Sequence, residues 1–190
     1  MQNFILKKTK NIKISHIPIV FVHGNGETAM SFMQTYKRFL ANGYNEHELF
    51  AFNSVNPTQD FSFNLRNNIL GLFEYISRVI EYTGSAIIDI IGHSWGGILI
   101  RTMLMELPVK KNIRKAIFIS SPHHGISRLT DPLHPLHPDS SFLKYISKDE
   151  EAFGNIEVLT LRSDDYDFYF QENLLNQVTP LSPELKNAKN

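Results

Sequence analysis

Apolar residues in this chain fall into short runs that alternate with longer stretches of helical spacing. The runs are rich in β-branched and aromatic residues and predict buried strands; they lie at 17–22, 48–54, 87–91, 113–119 and 156–161. Helix-like patterns follow the first three runs, at 30–40, 65–80 and 98–104, with glycine stops at Gly43 and Gly84. Because strands and helices alternate, we expect a mostly parallel sheet covered on both faces, a three-layer α/β fold.

One strand-to-helix junction carries candidate chemistry. The run 87–91 leads into Gly92-His93-Ser94-Trp95-Gly96-Gly97, called the Ser94 turn, and a helix-like run follows it. A serine at G-x-S-x-G spacing in this setting is typical of the nucleophile elbow of α/β-hydrolases. The first amide of the following helix, Trp95 N–H, is a candidate half of an oxyanion hole, because helix N-terminal amides are unpaired and favour negative charge.

A second motif follows the first predicted strand. The run 17–22 ends at His23-Gly24-Asn25-Gly26, which with the next two residues we call the His23 loop, 23–28. In α/β-hydrolases a loop at this place supplies the other oxyanion donor, and Asn25 N–H is the candidate here. His23 is also a candidate base, but the base of this fold follows the acid in chain order, so we expect His23 to shape this loop. His93 is too close to Ser94 in sequence to face it as a base, so we expect it to pack against or bond to neighbouring strands.

Three segments together resemble a known family. They are 18–32, the GHSWGG turn and Ser120-Ser121-Pro122-His123-His124-Gly125, and they are similar to the class 2 microbial lipases and esterases of the α/β-hydrolase fold. The resemblance covers about 17–182. It implies hydrolysis of carboxylic esters, often acylglycerols, through a serine nucleophile and an acyl-enzyme, with no cofactor.

The acid of such a site should follow the strand at 156–161, where it would orient the catalytic base. Three aspartates stand there, Asp164, Asp165 and Asp167, and turns favour aspartate in any case. The resemblance favours Asp167, with Asp165 as the alternate and Asp164 as a turn-capping residue.

The catalytic histidine should come after the acid in chain order, but all eight histidines precede Asp167. Three interpretations stay open: a truncated product without its last strand and histidine, a degenerate hydrolase, or a rearranged site that uses His123 or His124. We therefore expect poor ester hydrolysis from these 190 residues. A non-catalytic α/β-hydrolase-fold binding protein and an acyltransferase are the alternative functions.

Length and composition indicate a single domain over 1–190, with an N-terminal extension at 1–16. A lid-like excursion is predicted over 122–155, because three prolines, Pro132, Pro135 and Pro138, exclude a regular helix in its middle. A plain connecting loop is the alternative for this excursion. His134 and His137 stand beside aspartates there, but their spacing matches no strong metal signature, so no metal site is predicted.

The remaining composition excludes several classes of function. The formal net charge is zero and no basic stripe is present, which argues against a nucleic-acid partner. Cysteine is absent, so there is no disulfide framework. The first residues lack a signal-peptide apolar region and no run has transmembrane length. This weakly favours a cytoplasmic location and a small-molecule ester or lipid as the partner.

Overall fold

A computed structural model of the protein describes residues 12–55, 61–126, 129–148, 153–162, 185–186 and 188–189. Within this part, five parallel strands form one sheet in the order β2-β1-β3-β4-β5. The strands are β1 Ile19–Val22, β2 Leu49–Phe52, β3 Ile88–His93, β4 Ile113–Ile119 and β5 Glu157–Leu161. The helices are α1 Met33–Ala41, α2 Phe61–Thr83, α3 Trp95–Glu106 and α4 Ser141–Ile146, with 3₁₀ turns at Ala29–Phe32, Glu46–Glu48 and Lys110–Asn112.

Alternate residues of the strands face two separate cores. Val20 and Ile90 point to one face, where they pack with residues of α2 and α3 such as Leu72 and Leu99. Their neighbours on the other face belong to a second core beside α1, formed by Ile19, Phe21, Phe32, Leu49 and Ile91. Burying each such side chain contributes about 1.5–3 kcal/mol. The predicted three-layer α/β architecture is confirmed.

Helix ends follow local signals that the sequence shows. At the end of α1, the Asn42 side chain donates to Arg38 O at 2.7 Å and Gly43 adopts a φ of 96°. Gly84, with a φ of 71°, follows α2 in the same way. The sequence pattern did not predict α4, which is only six residues long and begins where Ser140 Oγ accepts the N–H of Leu143 at 3.1 Å.

The described part of the excursion at 122–155 packs onto the start of α3. Its described residues include successive turns at 131–139 and then α4. Leu136, Leu143 and Ile146 are buried against Trp95 and Ile98. The excursion therefore covers the helix that begins at the Ser94 turn. No helix in the described ranges is both long and apolar enough to cross a membrane.

Residues near the C-terminus add a parallel bridge at the β5 edge of the sheet. Lys189 N–H donates to Val158 O at 3.0 Å, and Lys189 O accepts the N–H of Thr160 at 2.8 Å. The loss of a final strand stays a prediction.

A buried carboxylate, Glu48, lies at the amino end of the strands, directly before β2. Glu48 accepts the backbone N–H groups of Ser15, His16 at 2.9 Å and Asn45 at 3.0 Å, and His16 Nδ1 lies 3.1 Å from it. Burial alone would raise the pKa of Glu48, but these hydrogen bonds together lower it to about 2. The segment before β1 is thereby tied to the start of β2.

Candidate active site

Ser94 occupies a strained turn between β3 and α3. Its φ is 50° and its ψ is −121°, a conformation that residues with a side chain rarely adopt. The turn is held by two backbone hydrogen bonds, from Ser94 N–H to Ile119 O at 2.8 Å and from Gly97 N–H to Ser94 O at 3.1 Å. Such strain persists only where the surrounding structure imposes it, and it is concentrated at functional sites.

The glycines of the Ser94 turn leave no room for a side chain. A Cβ atom on Gly96 would lie 2.3 Å from Val22 O and 2.7 Å from His23 O. One on Gly92 would lie 2.6 Å from Ile100 Cδ1 and 2.8 Å from Gly97 N. The start of α3 therefore packs directly on the backbone of β1, at the place where β1 enters the His23 loop.

The His23 loop runs alongside Ser94. A Cβ atom on Gly24 would be only 3.1 Å from Ser94 Cβ. His23 is buried, and its Nε2 accepts the N–H of Ser54 at 3.1 Å. The ring proton is therefore on Nδ1, which donates to Gly24 O at 2.8 Å. His23 thus holds the loop backbone, in the role that the sequence indicated for it. Asn25 follows on the exposed side of the loop, and its N–H has no acceptor in the described part of the chain.

Glu27 was not predicted from the sequence, yet it joins the loop to the end of β3. Its Oε2 accepts the N–H of Gly24 at 2.8 Å and lies 3.1 Å from His93 Nδ1. The i, i+3 spacing between Gly24 and Glu27 could have indicated the first contact. The second joins residues 66 apart and depends on the fold.

Trp95 has a buried side chain, packed 6.1 Å from the ring of Phe142 between centroids. Its backbone N–H lies at the first position of α3, the place from which the sequence predicts an oxyanion donor. Ile98 and Phe32 are buried in separate cores because they face inward from their elements, whereas Leu133 is 87% exposed.

The two candidate replacement histidines differ in their surroundings. His123 is fully buried and edge-on to Phe118 at 4.7 Å, and neither ring nitrogen has a hydrogen-bond partner in the described part of the chain. Burial first, and then the charges of Arg101 and His124, lower the pKa of His123 well below its usual value, so the ring is neutral. His124 is only half-buried. Neither has a hydrogen bond to Ser94 among those described.

The predicted acids Asp167 and Asp165, with Asp164, lie outside the described residues. The histidines of the excursion serve local turns: His134 Nδ1 accepts the N–H of Leu136, and His137 Nδ1 that of Asp139. Across the described ranges, no three histidine or acidic side chains come together in a way that could hold a metal ion.

Sequence comparison identifies the family. The pattern of the family described as lipase (class 2) matches residues 16–177. The chain belongs to the class 2 lipase family. Its members are ester hydrolases of lipase type, as the resemblance of the motifs predicted.

Solved structures confirm the fold of this class 2 lipase family member. The mature Bacillus licheniformis lipase BlEst2 is similar with a TM-score of 0.71 and 19% identity, over 94% of this chain and 85% of that one. Aspergillus fumigatus lipase B gives 0.67 and 14%, over 90% and 42%. Phospholipase PlaB from Legionella pneumophila gives 0.58 and 16%, over 80% and 40%. These matches confirm the predicted α/β-hydrolase fold.

Proposed function

We propose that this chain is a lipase-type carboxylic ester hydrolase in which Ser94 is the nucleophile. The observation that carries the proposal is the φ of 50° at Ser94, on the turn between β3 and α3, with Gly24 of the His23 loop in contact with it. A turn of this kind exposes the hydroxyl at the carboxyl end of the sheet, where ligands of open parallel sheets bind. Membership of a lipase family supports an ester with an acyl chain as substrate.

The reaction would proceed through an acyl-enzyme. Ser94 Oγ attacks the ester carbonyl carbon, a base takes the hydroxyl proton, and the alcohol leaves with a proton. Water then attacks the acyl-enzyme and releases the carboxylic acid. The negative oxygen of each tetrahedral intermediate would accept hydrogen bonds from Asn25 N–H and Trp95 N–H, and removing such a donor costs about 3 kcal/mol.

Asp167 is the proposed acid, with Asp165 as the alternate, on the strength of their place after β5 and the family resemblance. The mechanism also requires a base. No histidine follows Asp167 in these 190 residues, and Ser94 Oγ has no hydrogen bond to a histidine in the described ranges. His123 is neutral, as a base must be, but it is enclosed beside Phe118. We therefore expect slow turnover by the 190-residue chain.

A fluorophosphonate probe tests Ser94 without requiring turnover. The probe forms an Oγ–P bond and releases fluoride, and the labelled residue is found by peptide mass spectrometry. We expect slow labelling at Ser94, because no base contacts its hydroxyl in the described ranges, and none in Ser94→Ala. The control Ser77→Ala should label at the wild-type rate, since the Ser77 hydroxyl donates to Phe73 O on an exposed face of α2. A folded protein that is never labelled would instead support the second candidate, a non-catalytic ligand-binding protein. This candidate is favoured by the lack of a hydrogen bond on Ser94 Oγ within the described ranges.

Added imidazole tests the absence of a base. If Ser94 lacks an activating group, imidazole in solution should increase hydrolysis of a short-chain nitrophenyl ester by the wild-type chain. The increase should exceed the background measured with Ser94→Ala, which lacks the nucleophile but keeps the fold. Fast turnover without imidazole that disappears in Ser94→Ala would contradict the missing base and favour a relocated histidine.

A further inference from the structure

Glu27 stands at the junction between the His23 loop and the strand that carries Ser94. A single atom, Oε2, contacts both sides: Gly24 N–H donates to it at 2.8 Å and His93 Nδ1 lies 3.1 Å away. A carboxylate accepts and does not donate, so His93 must carry its proton on Nδ1. Glu27 Oε2 thus joins the loop to the end of β3. Its contact on β3 is His93, the residue that precedes Ser94.

We infer that Glu27 is a positioning residue that fixes which amide of the His23 loop faces Ser94; this inference rests on the proposed function. Because Gly24 N–H is bonded to Glu27, it is not available to an oxyanion. The next amide along the chain, Asn25 N–H, has no acceptor in the part of the chain that the structure describes. The carboxylate therefore selects the donor by occupying the neighbouring one.

The contacts around Gly24 leave little freedom for the loop. A Cβ atom there would lie 3.1 Å from Ser94 Cβ, 3.2 Å from Glu27 Oε2 and 3.2 Å from His93 Nδ1. The loop also forms a tight turn, with Glu27 N–H directed at Gly24 O at 3.4 Å. Without the carboxylate, Gly24 N–H would lose its acceptor and His93 would lose its tie to the loop, so the loop would no longer be held against Ser94.

Glu27 places a negative charge near the proposed oxyanion site. A negative group next to a site of developing negative charge disfavours the transition state, unless hydrogen-bond donors stabilise that group. Gly24 N–H and His93 Nδ1–H are these donors. Glutamine at this position keeps an acceptor oxygen in the same place and removes the charge, whereas alanine removes both. The pair of variants therefore separates positioning from electrostatics.

Two measurements test the inference on Glu27→Ala and Glu27→Gln. Amide hydrogen exchange at Gly24, followed by NMR, reports whether the loop is held, with or without catalysis. We expect exchange to be at least tenfold faster in Glu27→Ala and within threefold of wild type in Glu27→Gln. The second measurement is the rate constant for fluorophosphonate labelling of Ser94, which we expect to fall about tenfold in Glu27→Ala and to be maintained in Glu27→Gln. Glu74→Ala, on the exposed face of α2, is the control.

The outcomes are distinguishable. Unchanged Gly24 exchange in Glu27→Ala, or glutamine as disruptive as alanine, would overturn the inference. Faster exchange with unchanged labelling would also overturn it, because the loop would then have no effect on Ser94. Failure of the wild-type chain to label would refute the proposed function; the exchange data would then still decide whether Glu27 holds the loop. Melting temperatures of all variants exclude general unfolding as the cause of a slower rate.

Discussion

Gly96→Ala tests how tightly the start of α3 packs on β1. The added methyl carbon would lie 2.3 Å from Val22 O, 2.7 Å from His23 O and 2.8 Å from Val22 C. All three are backbone atoms and cannot rotate away. Since such contacts are essentially never shorter than 3.0 Å, α3 and β1 must separate by at least about 0.7 Å (3.0 minus 2.3). This separation is resisted by the hydrogen bond that holds Ser94 N–H to Ile119 O.

The size of the effect follows from two opposed contributions. Overpacking a buried site costs about 1–3 kcal/mol and sometimes more, and contact with rigid backbone places this site at or above the upper end. Alanine in a helix interior is favoured over glycine by about 1 kcal/mol. We expect a net loss of about 2–3 kcal/mol in the free energy of unfolding. For a chain of this size, that corresponds to a melting temperature lower by about 4–12 °C.

Gly71→Ala is the matched control for this prediction. Gly71 lies within α2, and a Cβ atom there would meet only Phe52 ring atoms, at 3.6 and 3.7 Å, which is ordinary contact. This variant should melt at the same temperature as wild type or a few degrees higher, by calorimetry or circular dichroism. Fluorophosphonate labelling of Ser94 should slow in Gly96→Ala only. If Gly96→Ala melted within 2 °C of wild type, the close packing derived for the Ser94 turn would be wrong.

Replacing His123 or Glu48 should change the stability in opposite directions, and the size of both effects should depend on pH. His123→Leu should stabilise the protein, because it removes two ring nitrogens without described partners. Because the pKa of His123 is lowered in the folded state, only the unfolded chain protonates this ring as the pH falls below 6.5. The stability advantage of leucine should therefore be about 1.4 kcal/mol larger at pH 5.5 than at pH 7.5. Urea unfolding that gives the same difference at both pH values would contradict this. Glu48→Gln should destabilise by up to about 3 kcal/mol at neutral pH, because the folded-state pKa is lowered from 4.5 to about 2. That difference should shrink as the pH falls from 4.5 towards 2, and a gap of equal size at pH 3 and pH 7 would show that the Glu48 carboxylate is not the cause.

The order of strands and helices could be predicted because each element has its own repeat of apolar residues. Strand 113–119 has the predicted bounds, and Gly43 and Gly84 adopt the positive φ expected after helices. The Ser94 turn could also be predicted, since its glycines and serine are contiguous and their roles are local. These features depend on residues close together in sequence, where sterics and spacing are sufficient.

Contacts between distant segments could not be predicted in the same way. Glu27 meets His93 across 66 residues, and Glu48 meets Ser15 and His16 across more than 30. Nothing in the spacing of these residues shows that they are partners. The direction of a side chain near a motif could not be predicted either: Ile98 is one turn from Ser94, and it packs with Leu143 and Ile146.

The two ends of the sheet differ in how they satisfy buried polar groups. At the N-terminal end, Asp89 is paired with Arg114 through the Nε–Oδ1 contact at 2.9 Å, and Glu48 accepts three backbone amides. At the C-terminal end, Ser94 and Ser120 end neighbouring strands with φ values of 50° and 46°, and His123 is buried with neither ring nitrogen bonded in the described ranges. Paired polar groups and unstrained backbone would be more stable at both ends of the sheet. Strain and unpaired groups therefore persist where function requires them. Their concentration at the end of the sheet that carries Ser94 supports the proposed active site independently of the sequence motif.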